Sequence, residues 1–456
     1  MMKSSTKKLM AAALVGAFAL ATVGLVFAQG ARTKVVWYIG LGTGASAQQV
    51  PIQKAAVERF NKSQDKIELV MEVVDNNVAA DQLAARIAAG NAPDFVGPVG
   101  GDGYAKFRGQ FADLTPLIAK FKPDTSGMDE ALLKFYSAGS VREGLPYAVY
   151  PSFIFYNKDL FDEAGLPYPP AKFGERYQGR TWDWNTLRQI AMKMTIDANG
   201  KDATETGFDA KKIVQFGFVN QWNTGATAMA TTFGAASLTN AQGRAQIPAN
   251  WINAWKWYQN GIWKDRFMPN QEEMGQEVFG SGNNFNSGKF AMAYTHLWYQ
   301  CCLDGGANAK VKNWGVAVVP SYNGKYTAKL HADTFRIMKS SKNQDAAFQA
   351  MWWLMQQPDL LRTYGAFPAD ERLQDDFISE INKKYAQNAK INWQTVKDSL
   401  KYVDVPSHEQ WVPNYLKSFD ILTKFANRIF AEPNMNINAE ASKLRVDLQN
   451  SFNQAR

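Results

Sequence analysis

Short β-branched and aromatic runs alternate with helical repeats in the first hundred residues. Lys34–Ile39 (KVVWYI) reads as a strand, and Gly40, Gly42 and Gly44 follow as a loop. Gln48–Lys62 carries Val50, Ala55, Val57 and Phe60, which predicts a helix. Lys66–Val74 (KIELVMEVV) is a second strand, and Val78–Ala89 a second helix that stops at Gly90. Asp94–Val96 is a third strand, closed by Gly97-Pro98. Strand, helix, strand, helix, strand predicts an α/β layer with a doubly wound sheet. Ligands bind such sheets beyond the carboxyl ends of the strands, here Gly40–Ser46 and Gly97–Gly103. Further on the pattern changes. Residues 167–181 and 197–212 are loop-like, and Asn250–Trp263 is a Trp-rich amphipathic helix. From Asn343 the chain reads as helices broken at Pro358, Pro368, Pro406, Pro413 and Pro433.

The first 28 residues form a different pattern. Lys3, Lys7 and Lys8 precede an apolar run from Leu9 to Ala28, and Val26-Phe27-Ala28 offers small residues where a signal peptidase reads. Cleavage after Ala28 is the expectation; an uncleaved anchor is the alternative, because the run is nearly long enough to span a bilayer. No Cys lies near the cleavage point, so the expected mature protein is periplasmic and not a lipoprotein. No other segment reaches about 18 consecutive apolar residues.

Charge adds little. The 50 Lys+Arg against 42 Asp+Glu give +8; without the leader, 47 basic residues remain and the balance falls to +5. No basic block stands out, so nucleic acid is a poor partner. The chain has two Cys and three His, too few for a disulfide framework or a His-rich metal site, and no cofactor is expected. Cys301 and Cys302 are adjacent, and a disulfide between neighbours is strained. A pair of buried free thiols is the expectation, with a vicinal disulfide in an oxidising periplasm as the alternative. The acidic stretch Asp197–Glu205 has Gly misplaced for a calcium loop and reads as a surface hairpin.

Several segments, taken in order, resemble the solute-binding proteins of bacterial ABC sugar importers, the group that includes maltose-binding proteins. They are KVVWYI, VERFNKSQDKIELV, LAARIAAGNAPDFV, GLPYAVYPSFIFYNKDLFDEAGL with TWDWNTLRQIAMKM, FNSGKFAMAYTHLW, WGVAVVP, ADTFRIMKSSKNQDAAFQAMWWLM and YGAFPA. The blocks run from about residue 34 to 370. The resemblance implies a two-lobed α/β periplasmic-binding-protein fold, each lobe a sheet flanked by helices, with a ligand cleft between them. Its block order puts residues 31–149 and 319–342 in the first lobe, and 150–318 and 343–456 in the second. It implies a carbohydrate ligand, permease subunits of an importer as partners, and a monomer. Residues 331–334 read His-Ala-Asp-Thr where the family usually has glycines.

Fourteen Trp in 456 residues suit a sugar ligand. An aromatic ring covers the C–H face of a sugar, while carboxylates, amides and imidazoles bind its hydroxyls. Trp255, Trp257, Trp352 and Trp353 lie at helical spacing and are expected in the core. Trp222, Trp298 and Trp411 stand in or beside turns where the family places stacking rings; cleft and core remain open for each. Asp102, in GPVGGDG, is a candidate hydroxyl acceptor or a helix cap. Tyr150 and Ser152 flank Pro151, where the chain changes lobes. His296 and His331 fall near the cleft mouth in the resemblance, with a buried structural role as the alternative. Asp333 shares a face with His331 if that stretch is extended. These nine residues are the expected ligand site.

Two functions remain: sugar capture by hinge closure, and an exported glycosidase. The second needs two carboxylates about 5–10 Å apart, for which Asp102 and Asp333 are candidates. The chain contains no GxSxG, HExxH or GxxxxGK[ST] signature. Binding without catalysis is the favoured expectation.

Overall fold

The computed structural model describes residues 31–134, 137–138, 141–304, 308–365, 367–385, 391–404 and 412–454, with the side chains of residues 102, 134, 137, 138 and 301 excluded. The leader and Trp411 therefore lie outside the described residues.

The opening layer forms as the pattern predicts. Strand β1 (Thr33–Ile39) pairs in parallel with β2 (Ile67–Val73) and β3 (Phe95–Val99). Helix α1 (Val50–Ser63) begins with Pro51 in its first turn and buries Ala56, Val57 and Phe60. Helix α2 (Asn76–Ala88) is capped by Asp75, whose carboxylate accepts from the Asn77 amide. Beyond β3 comes the short helix α3 (Gly101–Lys106), the first-turn backbone that carries Asp102. Gly97 is required by close approach: a Cβ there would stand 2.5 Å from the Phe335 ring.

The architectural centre is β4 (Leu145–Asn157), thirteen residues long and buried throughout. The remaining strands of this sheet are β5 (Ile196–Asp197), β6 (Ile213–Asn220), β7 (Phe290–His296), β8 (Trp314–Ala317), β9 (Leu330–Ile337) and β10 (Phe367–Pro368). The sheet order is β2-β1-β3-β9-β4-β7-β6-β5, with β8 and β10 also on β4. The first half of β4 pairs with β9 and β10, and the second half with β7 and β8. Both edges of β4 are thus occupied in each half, and because the strand is buried along its whole length its sequence is mostly apolar. It is shared by two sheet halves and joins them.

Helices cover both halves. Over the second half lie α4 (Trp184–Lys193), α5 (Ala226–Thr231) and α6 (Ala249–Trp263), which bury Trp184, Trp251 and Trp255. Trp257, Trp352 and Trp353 are partly buried against the two cores. Helices α7 (Gln344–Met355), α8 (Pro358–Tyr364), α9 (Gln374–Lys384) and α10 (Trp393–Ser399) follow, then α11 (Tyr415–Ala431) and α12 (Ile437–Gln454). Helix α7 packs on β1, β9 and α1, and α8 packs on α1, all in the first half. Only α11 and α12 pack on α5 and α6. Periodicity showed that α7 has a buried face, but not which sheet that face covers. Helix α11 also touches α3 of the opposite half, and Arg108 Nη1 donates to the Val412 carbonyl at 3.5 Å. No helix among the described residues is long and apolar enough to cross a membrane.

Candidate functional site

The register of the strands around β4 assembles the site. Tyr150 and Ser152 are two apart on β4, so their side chains share one face. His331 on β9 stands opposite Tyr150, and His296 at the end of β7 stands opposite Ser152. Cross-strand neighbours on one face are within contact reach. The 3-10 helix Leu297–Cys302 then folds Trp298 back over them. The result is a cluster of four rings. Trp298 lies 4.2 Å from His296, 4.9 Å from His331 and 5.7 Å from Tyr150, centroid to centroid, and the two imidazoles are 4.6 Å apart. His296 Nδ1 bonds the Tyr150 carbonyl at 2.8 Å, which fixes the ring on its neighbour strand. Ser152 Oγ accepts from the Tyr294 hydroxyl at 3.1 Å and from the Lys329 amide at 2.8 Å. The cluster therefore stands where β4 passes from one half to the other, with residues from both.

Tyr150, Ser152 and His296 are buried, whereas Trp298, His331 and Asp333 keep part of their surface in solvent. Asp333 is two residues beyond His331 on β9, and its Oδ1 lies close to Gly100 at the start of α3. Burial pushes the Asp333 carboxyl up to about 7. Burial, helped by the positive charge of Lys329, holds His331 well below the usual imidazole range. Burial, with the Asp333 carboxylate nearby, raises the Tyr150 hydroxyl well above its usual value. Near neutral pH the floor of the site thus carries a neutral imidazole, a neutral phenol and one carboxyl group that exchanges its proton.

Trp222 does not join the four rings. It follows the carboxyl end of β6, is 47% exposed, and has φ +53. A bulky residue in that backbone region is uncommon and is held there by its surroundings. The holding contacts are an Nε1 bond to the Gly282 carbonyl at 2.9 Å and an edge contact with Tyr299, 5.2 Å away. Tyr299 is the next residue after Trp298 in the chain. Asp102 has its backbone in α3. Its side chain, like Trp411, lies outside the description.

Residues the sequence did not single out complete the surroundings. Asn220, at the carboxyl end of β6, is buried, and neither of its amide heteroatoms has a partner among the described residues. The buried ion pair Lys329–Asp404 sits beside the ring cluster, with its side chains 1% and 0% exposed. A cavity of about 380 Å³ beside the 3-10 helix is lined by Gln49, Gln300, Arg362, Tyr364 and Lys384 among others. Its walls come from both halves, since Gln300 Nε2 donates to the Gly365 carbonyl at 3.3 Å. The position of Asn220 past a parallel strand was a usable signal; the ion pair left none. Among the described residues no group of three or more His, Cys, Asp and Glu could hold a metal ion. Cys302 is disulfide-bonded, contrary to the expected free thiols, and the chain's only other cysteine is its neighbour Cys301. Asp197 organises its own turn by accepting the amides of Asn199, Lys201 and Asp209, at 2.8, 3.0 and 2.7 Å.

The sequence profile of the bacterial extracellular solute-binding proteins matches residues 45–357. Binding proteins of Brucella abortus (strain 2308) and Brucella suis biovar 1 (strain 1330) are each 25% identical over 321 residues, covering 68% of this chain and 70% of theirs. Among solved structures, an ABC substrate-binding protein of Listeria monocytogenes in complex with cycloalternan superposes with TM-score 0.65 at 20% identity, covering 93% of this chain and 98% of that one. A T. maritima protein with maltose bound gives 0.63 at 16% identity, covering 93% and 100%. An M. tuberculosis protein gives 0.69 at 18% identity, covering 92% and 100%. At these identities the structures speak for the fold: two lobes with a cleft between them.

Proposed function

The chain belongs to the bacterial extracellular solute-binding protein family, and from that premise we propose that its cleft captures a carbohydrate and hands it to the membrane subunits of an ABC importer. The observation that carries this reading is the four-ring cluster beside Asp333, built from both sheet halves where β4 joins them. Trp298 offers a face for the C–H side of a pyranose. Asp333 accepts hydroxyl bonds, and neutral His331 both donates and accepts. Asn220, on the second half, brings amide atoms that have no partner among the described residues. Trp222 closes the rim.

A hydroxyl-rich ligand in such a cleft is stable only if its hydroxyls find partners, because each unpaired buried polar group costs about 1–3 kcal/mol. Partners from both halves converge only when the halves meet, so the ligand favours the closed arrangement by differential affinity. No bond is made or broken. Asp404, the other buried carboxylate near the rings, is paired with Lys329. The protein is exported, its leader is removed after Ala28, and it works as a monomer. Helices α7 and α8 accompany the first lobe in this reading, and residues 412–454 the second.

Native mass spectrometry of freshly purified protein, followed by calorimetry with a panel of mono- and oligosaccharides, tests the function. A copurifying sugar mass and saturable heat are expected. Continuing heat from turnover, or no saturable binding across the panel, overturns it.

A further inference from the structure

The three stretches of chain that run between the sheet halves meet at one buried point. The first is β4, at Ser152. The second is the connection from β8 to β9, which ends at Lys329. The third is the stretch after α10, which reaches Asp404 on its way to α11. Ser152 and Lys329 exchange backbone and side-chain bonds: the Ser152 amide donates to the Lys329 carbonyl at 2.9 Å, and the Lys329 amide to Ser152 Oγ at 2.8 Å. Lys329 Nζ meets Asp404 Oδ2 at 3.1 Å, and Asp404 Oδ1 accepts the Leu330 amide at 2.7 Å. Ala328 pairs with Val403 as an isolated bridge. The Tyr294 hydroxyl, on β7, donates to the same Ser152 Oγ.

A Lys and an Asp that are almost wholly enclosed are costly to desolvate, and such a pair is weak evidence for stability as such. An apolar pair of equal volume would serve packing as well. What charge supplies is a defined geometry, because the carboxylate has one set of donors and the ammonium one set of acceptors. That geometry ends two residues from His331 and, through Ser152, opposite His296.

We propose that the Lys329–Asp404 pair is a positioning device: it pins the three crossings in register and thereby sets where His331 and His296 stand in the ring cluster. The inference rests on the reading of that cluster as the ligand floor, but its test requires no ligand, so the two can fail separately.

The experiment compares the wild-type chain with Asp404→Asn and with the double variant Lys329→Met/Asp404→Leu. The double variant leaves no unpaired buried charge and keeps the test valid if the single variant does not fold. Hydrogen exchange by mass spectrometry is read over residues 150–153, 328–331 and 402–404, with β1 and α6 as references. Imidazole titration by NMR is read on the same samples; three His in the chain keep the spectrum assignable. The expected result is that all three segments lose protection together, roughly tenfold or more, while the reference elements are unchanged. In the double variant, which lacks the Lys329 charge, His331 should titrate at higher pH than in the wild type. Uniform loss of protection, or loss confined to residues 402–404, overturns the proposal. So does an unchanged His331 titration in the folded double variant, or failure of that variant to fold.

Discussion

Asp333→Asn should separate stability from binding. In the folded protein burial lifts the carboxyl from 3.8 to about 7. Below about pH 3.8 it is protonated in both folded and unfolded chains and costs nothing. Between there and pH 7 only the folded chain keeps the proton, so stability falls as pH rises. Above pH 7 the full cost is present. Three units at 1.36 kcal/mol each set a ceiling of about 4 kcal/mol. Part of the carboxylate still reaches solvent, which lowers the realistic figure to about 1–3 kcal/mol. Asparagine has nearly the same shape and no charge, so the variant escapes this cost. It should be more stable than the wild type by that amount at pH 8, and the gap should close toward pH 4. Urea unfolding at both pH values, with equal slopes required before comparison, measures the difference. The same variant should bind carbohydrate more weakly at pH 8, since a charge-assisted bond is lost. Equal stability of the two proteins at pH 8 would refute the claim that burial of this group strains the fold.

Other substitutions probe other parts of the site. Trp298→Ala should weaken sugar binding roughly ten- to a hundredfold by calorimetry, the range of a well-packed aromatic anchor. Trp222→Ala should weaken binding while shifting stability by less than about 1 kcal/mol, because nearly half of the residue is exposed; a large drop in melting temperature would contradict its place at the rim. Wild-type affinity should fall as pH drops below 7 and Asp333 takes up its proton, whereas a profile flat from pH 5 to 8 would remove Asp333 from the site. Gly217→Ala should be severely destabilising, since its Cβ would lie 1.9 Å from the Ala191 carbonyl oxygen. Soluble expression and a melting curve decide that.

The sequence made some parts of this molecule plain and hid others for definite reasons. The opening layer was legible because one-sided burial imposes a period, and β1, α1, β2, α2 and β3 fall within a few residues of the patterned runs. Tyr150, Ser152, His296, Trp298 and His331 come together because strand register converts residues two apart into one face. Block order suggested their neighbourhood, but no local pattern gave the register. Lys329 and Asp404 are 75 residues apart, and each looks like an ordinary surface charge in its own stretch. The affiliation of α7 was hidden for a related reason. Its buried face is as apolar as that of α6, and only the three-dimensional path decides which sheet it meets. Cys302 is the opposite case, where free thiols were the expectation and the residue is disulfide-bonded.

The place of β9 in the sheet has a consequence in time. It lies between β3 and β4, so the first sheet half is open along two edges until residue 337 has joined it. A growing chain can form β1, β2 and β3 with their helices early, but it must hold the edge of β3 and the first half of β4 unpaired while nearly two hundred further residues arrive. Pairings so distant in sequence make folding slow, and open edges of this kind invite strands from other chains. The same arrangement that fastens the two halves to one strand therefore obliges the newly made polypeptide to stay incomplete for most of its synthesis. A holding chaperone has its longest window on this chain between the emergence of β4 and that of β9.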